Sequence, residues 1–327
     1  MSPGQTGAAA VGALTVACAA SLFVGQGSLF DPDLRPILLD LRGSRTTCAA
    51  LAGAALAAGG VVAQGLFRNP LADPGVIGTT AGAVFGGQTL LIALAAGGSL
   101  LPPWLAPELV LPLGCVAGAL LALAAVLTVA SRLSDGTAVL LAGVLIGSLF
   151  IAMGSFLTSI AQNSFELGRA LLSFTLGGVE GAGWRQATLA APLVAAGLWG
   201  AWRWSRALDA LLAGEDEART LGVPVSQARA GCVLWTAWLT AAATAIAGAI
   251  GFVGLVAPHV IRRLIGASHR TLLPVSAIAG AAMTVSCDVI ARVIPAQGVI
   301  PLGVITGLVG APLFIWLLLA QQRKAQQ

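Results

Sequence analysis

The sequence predicts an all-α polytopic membrane protein, and three observations predict it. Of its 327 residues 57% are hydrophobic and only 9% are charged, whereas soluble domains carry about 25% charged residues. The mean hydropathy is +0.91. The apolar runs are roughly 20 residues long, the length a helix needs to cross about 30 Å of hydrocarbon. Lipid offers the backbone no hydrogen-bond partners, so a spanning segment is a helix or part of a closed barrel. Barrel strands alternate over about 10 residues, and these runs do not. The chain reads as one transmembrane domain, residues 1–327, with ten spanning helices.

The first span is residues 1–28. No Lys or Arg precedes Arg35, which argues against a cleaved signal peptide with its basic start. Residues 30–45 are polar and read as a connection. The second span, 46–66, repeats Ala49, Gly53 and Ala57 every fourth residue, so small side chains line one face. Turns follow at Asn69-Pro70 and Asp73-Pro74-Gly75, because proline fixes φ and biases its predecessor away from helix. The third span is 76–96. The fourth, 109–130, holds Gly114 and Gly118 as a GxxxG pair. A polar loop, 131–137, carries Arg132, Ser134, Asp135 and Thr137, and the fifth span is 138–161. Residues 162–185 are a longer connection with a short helix at 167–176. The sixth span, 186–204, ends on Trp199, Trp202, Arg203, Trp204 and Arg206, an aromatic and basic interfacial belt.

Residues 205–229 are the most hydrophilic segment. The seventh span starts near Ala230, the eighth fits within 248–266, the ninth is 272–294 and the tenth 300–320. The eighth is short: residues 252–266 rise only about 22 Å. It must borrow residues from the seventh or kink at Pro258. Ten spans leave both termini on one side. With the 205–229 loop in the cytoplasm, eleven basic residues face inward (Arg68, Arg132, Arg203, Arg206, Arg219, Arg229, Arg262, Arg263, Arg270, Arg323, Lys324). Six face outward (Arg35, Arg42, Arg45, Arg169, Arg185, Arg292), completing the 17 in the chain. The excess inside supports this orientation.

A faint internal echo accompanies the spans. Gly143-Val144-Leu145-Ile146-Gly147 resembles Gly303-Val304-Ile305-Thr306-Gly307, and Leu71-Ala72-Asp73-Pro74 resembles Leu255-Val256-Ala257-Pro258. The offset is five spans, an odd number, so the halves would be inverted in the membrane, as transporter repeats often are. Short glycine matches also arise by chance in glycine-rich helices.

The sharpest functional signal is Glu215-Asp216-Glu217-Ala218-Arg219-Thr220-Leu221-Gly222-Val223-Pro224. It reads as a short helix with acids in the first turn, which suits the helix dipole, stopped by Gly222. A short helix-turn-helix between two spans is built to dock into another protein; the alternative is an ordinary solvated loop. The five cysteines stand singly in apolar segments, with no CxxC or His/Cys cluster, so no metal or disulfide framework is expected. His259 and His269 fall near the basic edge and read as interfacial or core residues. Gln88, Thr89, Thr158, Ser159 and Thr306 either line a path or bond across helices. Asp288 and Arg292 are an i,i+4 pair in the favourable order.

These motifs together resemble the membrane permease of type II ABC importers, the family that takes up ferric siderophores, haem and cobalamin. The resemblance rests on residues 64–75 (Gln-Gly-Leu-Phe-Arg-Asn-Pro-Leu-Ala-Asp-Pro-Gly), 140–144, 218–223, 251–259 and 301–312, in order along the chain. Departures are minor: Gly43-Ser44 stands where the family usually has Leu-Pro, and Ala249 where Pro is common. The resemblance implies a homodimer driven by two cytoplasmic ATP-binding subunits and fed by a periplasmic binding protein, in the bacterial inner membrane, with no nucleic-acid partner. It implies that Glu215, Asp216, Glu217, Ala218, Arg219, Leu221 and Gly222 couple to the ATPase. Arg42, Arg45 and Arg292 are expected to meet acidic residues of the binding protein, a task guanidinium forks suit. Asn69, Pro70, Asp73, Pro74, Gly75, Ser134, Thr137, Pro258, Gly303 and Gly307 are expected at gates and structural turns. The sequence has no GxxxxGK[ST] motif, so ATP and Mg are expected on the partner and no cofactor on this chain. An iron chelate is the expected cargo, with cobalamin as the alternative. An ion-coupled transporter would need charges within its spans, and only Asp288 comes near. An intramembrane enzyme would need a paired nucleophile and base or a metal motif.

Overall fold

The computed structural model describes residues 2–25, 27–75, 78–96, 107–130, 136–294 and 300–325. They form thirteen helices: α1 (Pro3–Phe23), α2 (Arg35–Leu66), α3 (Thr79–Ala95), α4 (Pro107–Ala130), α5 (Gly136–Ala161), α6 (Phe165–Leu176), α7 (Trp184–Arg203), α8 (Ser205–Ala213), α9 (Glu215–Thr220), α10 (Val225–Ala247), α11 (Val253–Ile265), α12 (His269–Val293) and α13 (Leu302–Ala325). No strand occurs among the described residues. Six helices, namely α1, α2, α10, α12 and the cores of α4 and α5, are long and apolar enough to cross a membrane; α3 and α13 contribute shorter apolar stretches.

α2 is the central post. Its 32 residues rise about 48 Å, more than the hydrocarbon requires. This corrects the reading of residues 30–45 as a connection: Pro36 sits in the first turn of a continuous helix, where its missing N–H costs nothing. The charges at Asp40, Arg42 and Arg45 lower the hydropathy without breaking the helix, because each finds a partner on another segment: Trp184, Leu22 O and Asp288. Residues 55–65 are buried on every face, against α12, α10, α7 and α11. Gly53 and Ala57 of that stripe do form a close contact: a Cβ on Gly53 would lie 2.4 Å from the Gly280 carbonyl oxygen of α12, and one on Gly280 2.4 Å from the Ala57 Cβ. In lipid the hydrophobic effect does not draw helices together, so such backbone proximity supplies the packing.

The Gly114/Gly118 pair of α4 meets its counterpart on α3. A Cβ on Gly118 would sit 2.0 Å from the Gly82 carbonyl oxygen, and one on Gly86 2.0 Å from that of Gly114. The helix at the expected eighth span, α11, is indeed short. α11 has 13 residues, about 20 Å, and the segment before it is not helical. Nonhelical backbone is tolerated at depth only inside protein or along a cavity. Here it is stitched to neighbours: Ala249 N donates to Phe174 O at 3.2 Å and Gly178 N to Ala247 O at 2.8 Å. The short helix of the 162–185 connection is α6, longer by two residues than expected.

Candidate functional site

The hydrophilic segment after α7 gathers a small apolar cluster at the edge of the bundle. Leu211, Ala218, Val225 and Ala228 are buried together, with Trp204 and Val223 packed on them. Gly214 (φ +140°) opens α9 and Gly222 (φ +77°) ends it. Gly222 N and Val223 N return to Arg219 O (2.9 Å) and Ala218 O (3.0 Å), satisfying the last carbonyls of the helix. Arg219 reaches Asp216 at 2.7 Å and Glu215 at 3.6 Å, and Arg229 of α10 pairs with Glu215. The expected coupling residues thus divide by role. Ala218 is interior and Glu215 braces the unit. Asp216, Glu217, Arg219, Leu221 and Gly222 point outward, with Leu221 70% exposed at the tip. Leu221 is thus an apolar side chain left in the open at the turn that ends α9.

A joint beneath this unit was not legible in the sequence. His269 opens α12 with its side chain fully buried. Asp209 of α8 accepts from the His269 backbone N at 2.8 Å and contacts its Nδ1 at 2.6 Å. Gly65 at the end of α2 closes the pocket: a Cβ there would lie 2.5 Å from His269 Nε2 and 3.1 Å from Leu208. Arg262 of α11 donates to Gln64 at 3.3 Å. So α2, α8, α11 and α12 converge directly behind the outward loop. His259 is a core residue edge-on to Phe314, ring centroids 5.7 Å apart.

At the opposite end the three arginines converge. Asp288 of α12 has no exposed side-chain surface; one oxygen takes Arg45 Nη2 at 2.7 Å and the other takes Arg292. Arg292 also donates to Ser21 O at 2.8 Å and to Ser21 Oγ at 2.7 Å. Arg42 donates to the α1-terminal carbonyls of Leu22 (2.9 Å) and Phe23 (3.2 Å). Cationic groups at a helix C-terminus satisfy orphan carbonyls and the dipole together. The three residues expected at a docking face are therefore also the clamp joining α1, α2 and α12. Burial pushes the Glu180 carboxyl above its ordinary value, and Arg45 opposes that.

The turn residues hold the core together. Asn69 Oδ1 accepts from Leu71 N at 2.8 Å and Asp73 Oδ1 from Gly75 N at 2.7 Å, the Asx turns their residue types favour. Asp73 and Pro74 press against Gly254 at the start of α11, so the two echoed segments meet inside the bundle. Pro258 is buried within α11; it leaves the Gly254 carbonyl without its helical N–H. That carbonyl is where α2 approaches: a Cβ on Gly60 would lie 1.8 Å from it. Gly303 N donates to Gly177 O at 3.2 Å, and a Cβ on Gly303 would strike the carbonyls of Leu176 (2.2 Å) and Ala249 (2.4 Å). Gly307 has open space around it. Ser134 lies outside the described residues, and Thr137 is placed only as part of α5. Gln88 Nε2 donates to Thr158 (3.2 Å) and Thr175 (2.8 Å), so these polar groups bond across helices.

A helical bundle of this design, with a folded loop at one end and an arginine clamp at the other, has known relatives. The FecCD transport family model matches residues 6–320. This chain belongs to the FecCD transport family. It is 39% identical over 306 residues to the vitamin B12 import system permease protein BtuC of Citrobacter koseri, covering 94% of this chain and 90% of that one. The same figures hold for BtuC of Escherichia coli O9:H4. A solved structure of an inward-facing metal-chelate type ABC transporter aligns with TM-score 0.81 at 30% identity, over 97% of this chain and 99% of the other. The structure of PsaBC from Streptococcus pneumoniae with a Fab shares the fold, with TM-score 0.57 at 18% identity over 84% and 90% of the two chains. The FecCD chain described here is thus a type II ABC importer permease. Sequence reasoning marked the short helix of the 205–229 loop and the Asp288–Arg292 pair, and it placed Arg42 and Arg45 at a docking face without seeing the clamp they form. It missed the His269–Asp209 joint, whose signal was only two polar residues flanking two adjoining hydrophilic segments.

Proposed function

We propose that this FecCD permease moves an intact metal chelate inward across the bacterial inner membrane, driven by ATP hydrolysis on two partner subunits. The observation that carries it is the α8–α9 unit: a charged loop with a small apolar cluster of its own, seated on α2 and α12, whose apolar tip, Leu221, is offered to solvent. Closure of the partner ATPases on ATP and Mg would press on α9. The His269–Asp209 joint would pass that displacement to α12 and α2. The chain itself holds no cofactor in this reading.

Ten spans follow if α7 and α11 are added to the eight apolar helices, with both termini cytoplasmic. The inverted repeat has support from contacts as well as motifs: Gly78, before α3, touches Gly143 and Gly147, while Ala249, before α11, touches Gly303. The homodimer face is α5 with α13, whose Leu145, Leu149, Phe156, Leu308, Ile315 and Trp316 are exposed. Gly307 lies on this face, open to a second copy. The path runs between the copies, with Ser134 and Thr137 toward its cytoplasmic exit and Gly303 bracing its wall. Delivery by a periplasmic binding protein is assigned to the other end from the family resemblance, with the largely buried Arg42, Arg45 and Arg292 holding the shape of that end rather than offering free charge.

The cargo we favour is a corrinoid such as cobalamin, on the strength of the two BtuC relatives. A ferric siderophore or haem is the second reading, favoured by similarity to the metal-chelate transporter. Competition of cobalamin, ferric siderophores and haem for the cognate binding protein, followed by uptake into proteoliposomes holding the whole complex, tests it. Uptake of a ferric chelate without cobalamin would reverse the order. Uptake of neither would remove the chelate assignment.

A further inference from the structure

On one flank of the bundle α1, α2, α7 and α12 enclose a groove of about 630 Å³. Leu14, Ala50, Ala54, Leu198, Ala277 and Ile278 are among its walls. The hydroxyls of Thr46 and Thr47, also in the wall, donate to their own helix, at Arg42 O (2.7 Å) and Gly43 O (2.8 Å). The interior therefore suits hydrocarbon. The α12 wall, residues 273–281, rises about 12 Å, close to the depth of one leaflet.

One end of the groove is basic. Trp199 and Trp202 line it. The Arg203 guanidinium lies 5.2 Å from the centroid of the Trp199 ring, and that of Arg270 lies 5.2 Å from the centroid of the Trp202 ring. Trp202 Nε1 donates to Arg270 O at 3.3 Å, locking the second pair. Both arginines are exposed, and neither forms an ion pair among the described residues. Stacking holds the cations in place while leaving their donors open.

We infer that this groove binds one anionic phospholipid, its phosphate at Arg203 and Arg270 and an acyl chain along the trough between α1 and α7, over the floor made by α2 and α12. A second copy of the chain is a poor occupant. A twofold contact sets the same patch against itself and would bring arginine against arginine. A zwitterionic lipid fits the trough but brings no net charge to the cations.

Native mass spectrometry of the full-length permease with phosphatidylglycerol, phosphatidylcholine or glycerol 1-phosphate tests this. The wild type should retain one phosphatidylglycerol with roughly thirtyfold preference over phosphatidylcholine, the product of two basic groups beside an anionic lipid. The surface double variant R203Q/R270Q should bring the preference down to about onefold, and Ala54→Phe should weaken retention of both lipids. Equal retention of the two lipids, or a preference unchanged in R203Q/R270Q, overturns the inference. So does displacement by glycerol 1-phosphate at equal concentration, which would make the site one for free phosphate. Loss of the dimer in Ala54→Phe would assign the groove to a second copy and equally overturn it.

Discussion

The two ends of this permease use the same chemistry, arginine against carboxylate, in opposite surroundings. At the α9 end, Arg219 is 60% exposed and Asp216 88% exposed as they pair. At the Asp288 end, Asp288 and Arg292 are 0% and 8% exposed. Exposed pairs contribute about 0–1 kcal/mol. A buried pair is worth little net, but removing one member strands the other and costs about 3–5 kcal/mol. One end is thus free to be remade by a partner, while the other clamps α1, α2 and α12.

The largest expected effect is therefore Asp288→Ala, which strands two guanidinium groups and should destabilise the protein by about 3–5 kcal/mol. Thermal unfolding in detergent reads this; an unchanged midpoint would mean the arginines find other partners. Next is Leu221→Asp, which should leave the midpoint alone yet weaken ATPase binding roughly thirtyfold, the scale of an interface anchor. Full affinity in that variant would remove the docking role of the tip. Asp209→Ala should keep the ATPase bound but lower transport per ATP by about 2- to 30-fold, the range of a coupling residue. Unaltered stoichiometry would leave the His269 joint purely structural. Glu215→Gln should cost about 1 kcal/mol or less, and a larger loss would erase the contrast between the ends.

The smallest effect concerns pH. The Glu180 carboxyl is raised by burial, so the folded protein favours its protonated form. That contribution is complete below the ordinary glutamate value and lost as pH rises through the raised one. Glu180→Gln should flatten the fall in stability across that acidic window, and an identical pH profile in the variant would place Glu180 in water.

What the sequence made legible was what is local. Apolar runs marked the helices, Gly222 and three acids marked α9, and i,i+4 spacing marked Asp288 with Arg292. The α2 extension was hidden because its charges resemble a loop until their partners are known. Those partners are distant: Arg45 and Asp288 are 243 positions apart, and Arg42 bonds to Leu22 from 20 away. His269 and Asp209 are likewise joined only by the crossing of α8 and α12. The bundle is centred on α2, whose alanines give little pattern beyond their small size.

The central claim is that force enters through α9 from a nucleotide-hydrolysing partner. Its most direct test is chelate uptake into proteoliposomes containing the permease with or without its ATPase, with the binding protein present on the delivery side. Accumulation only when both the ATPase and ATP are supplied, and its collapse in Leu221→Asp, is the predicted result. Accumulation by the permease alone under an ion gradient would contradict it.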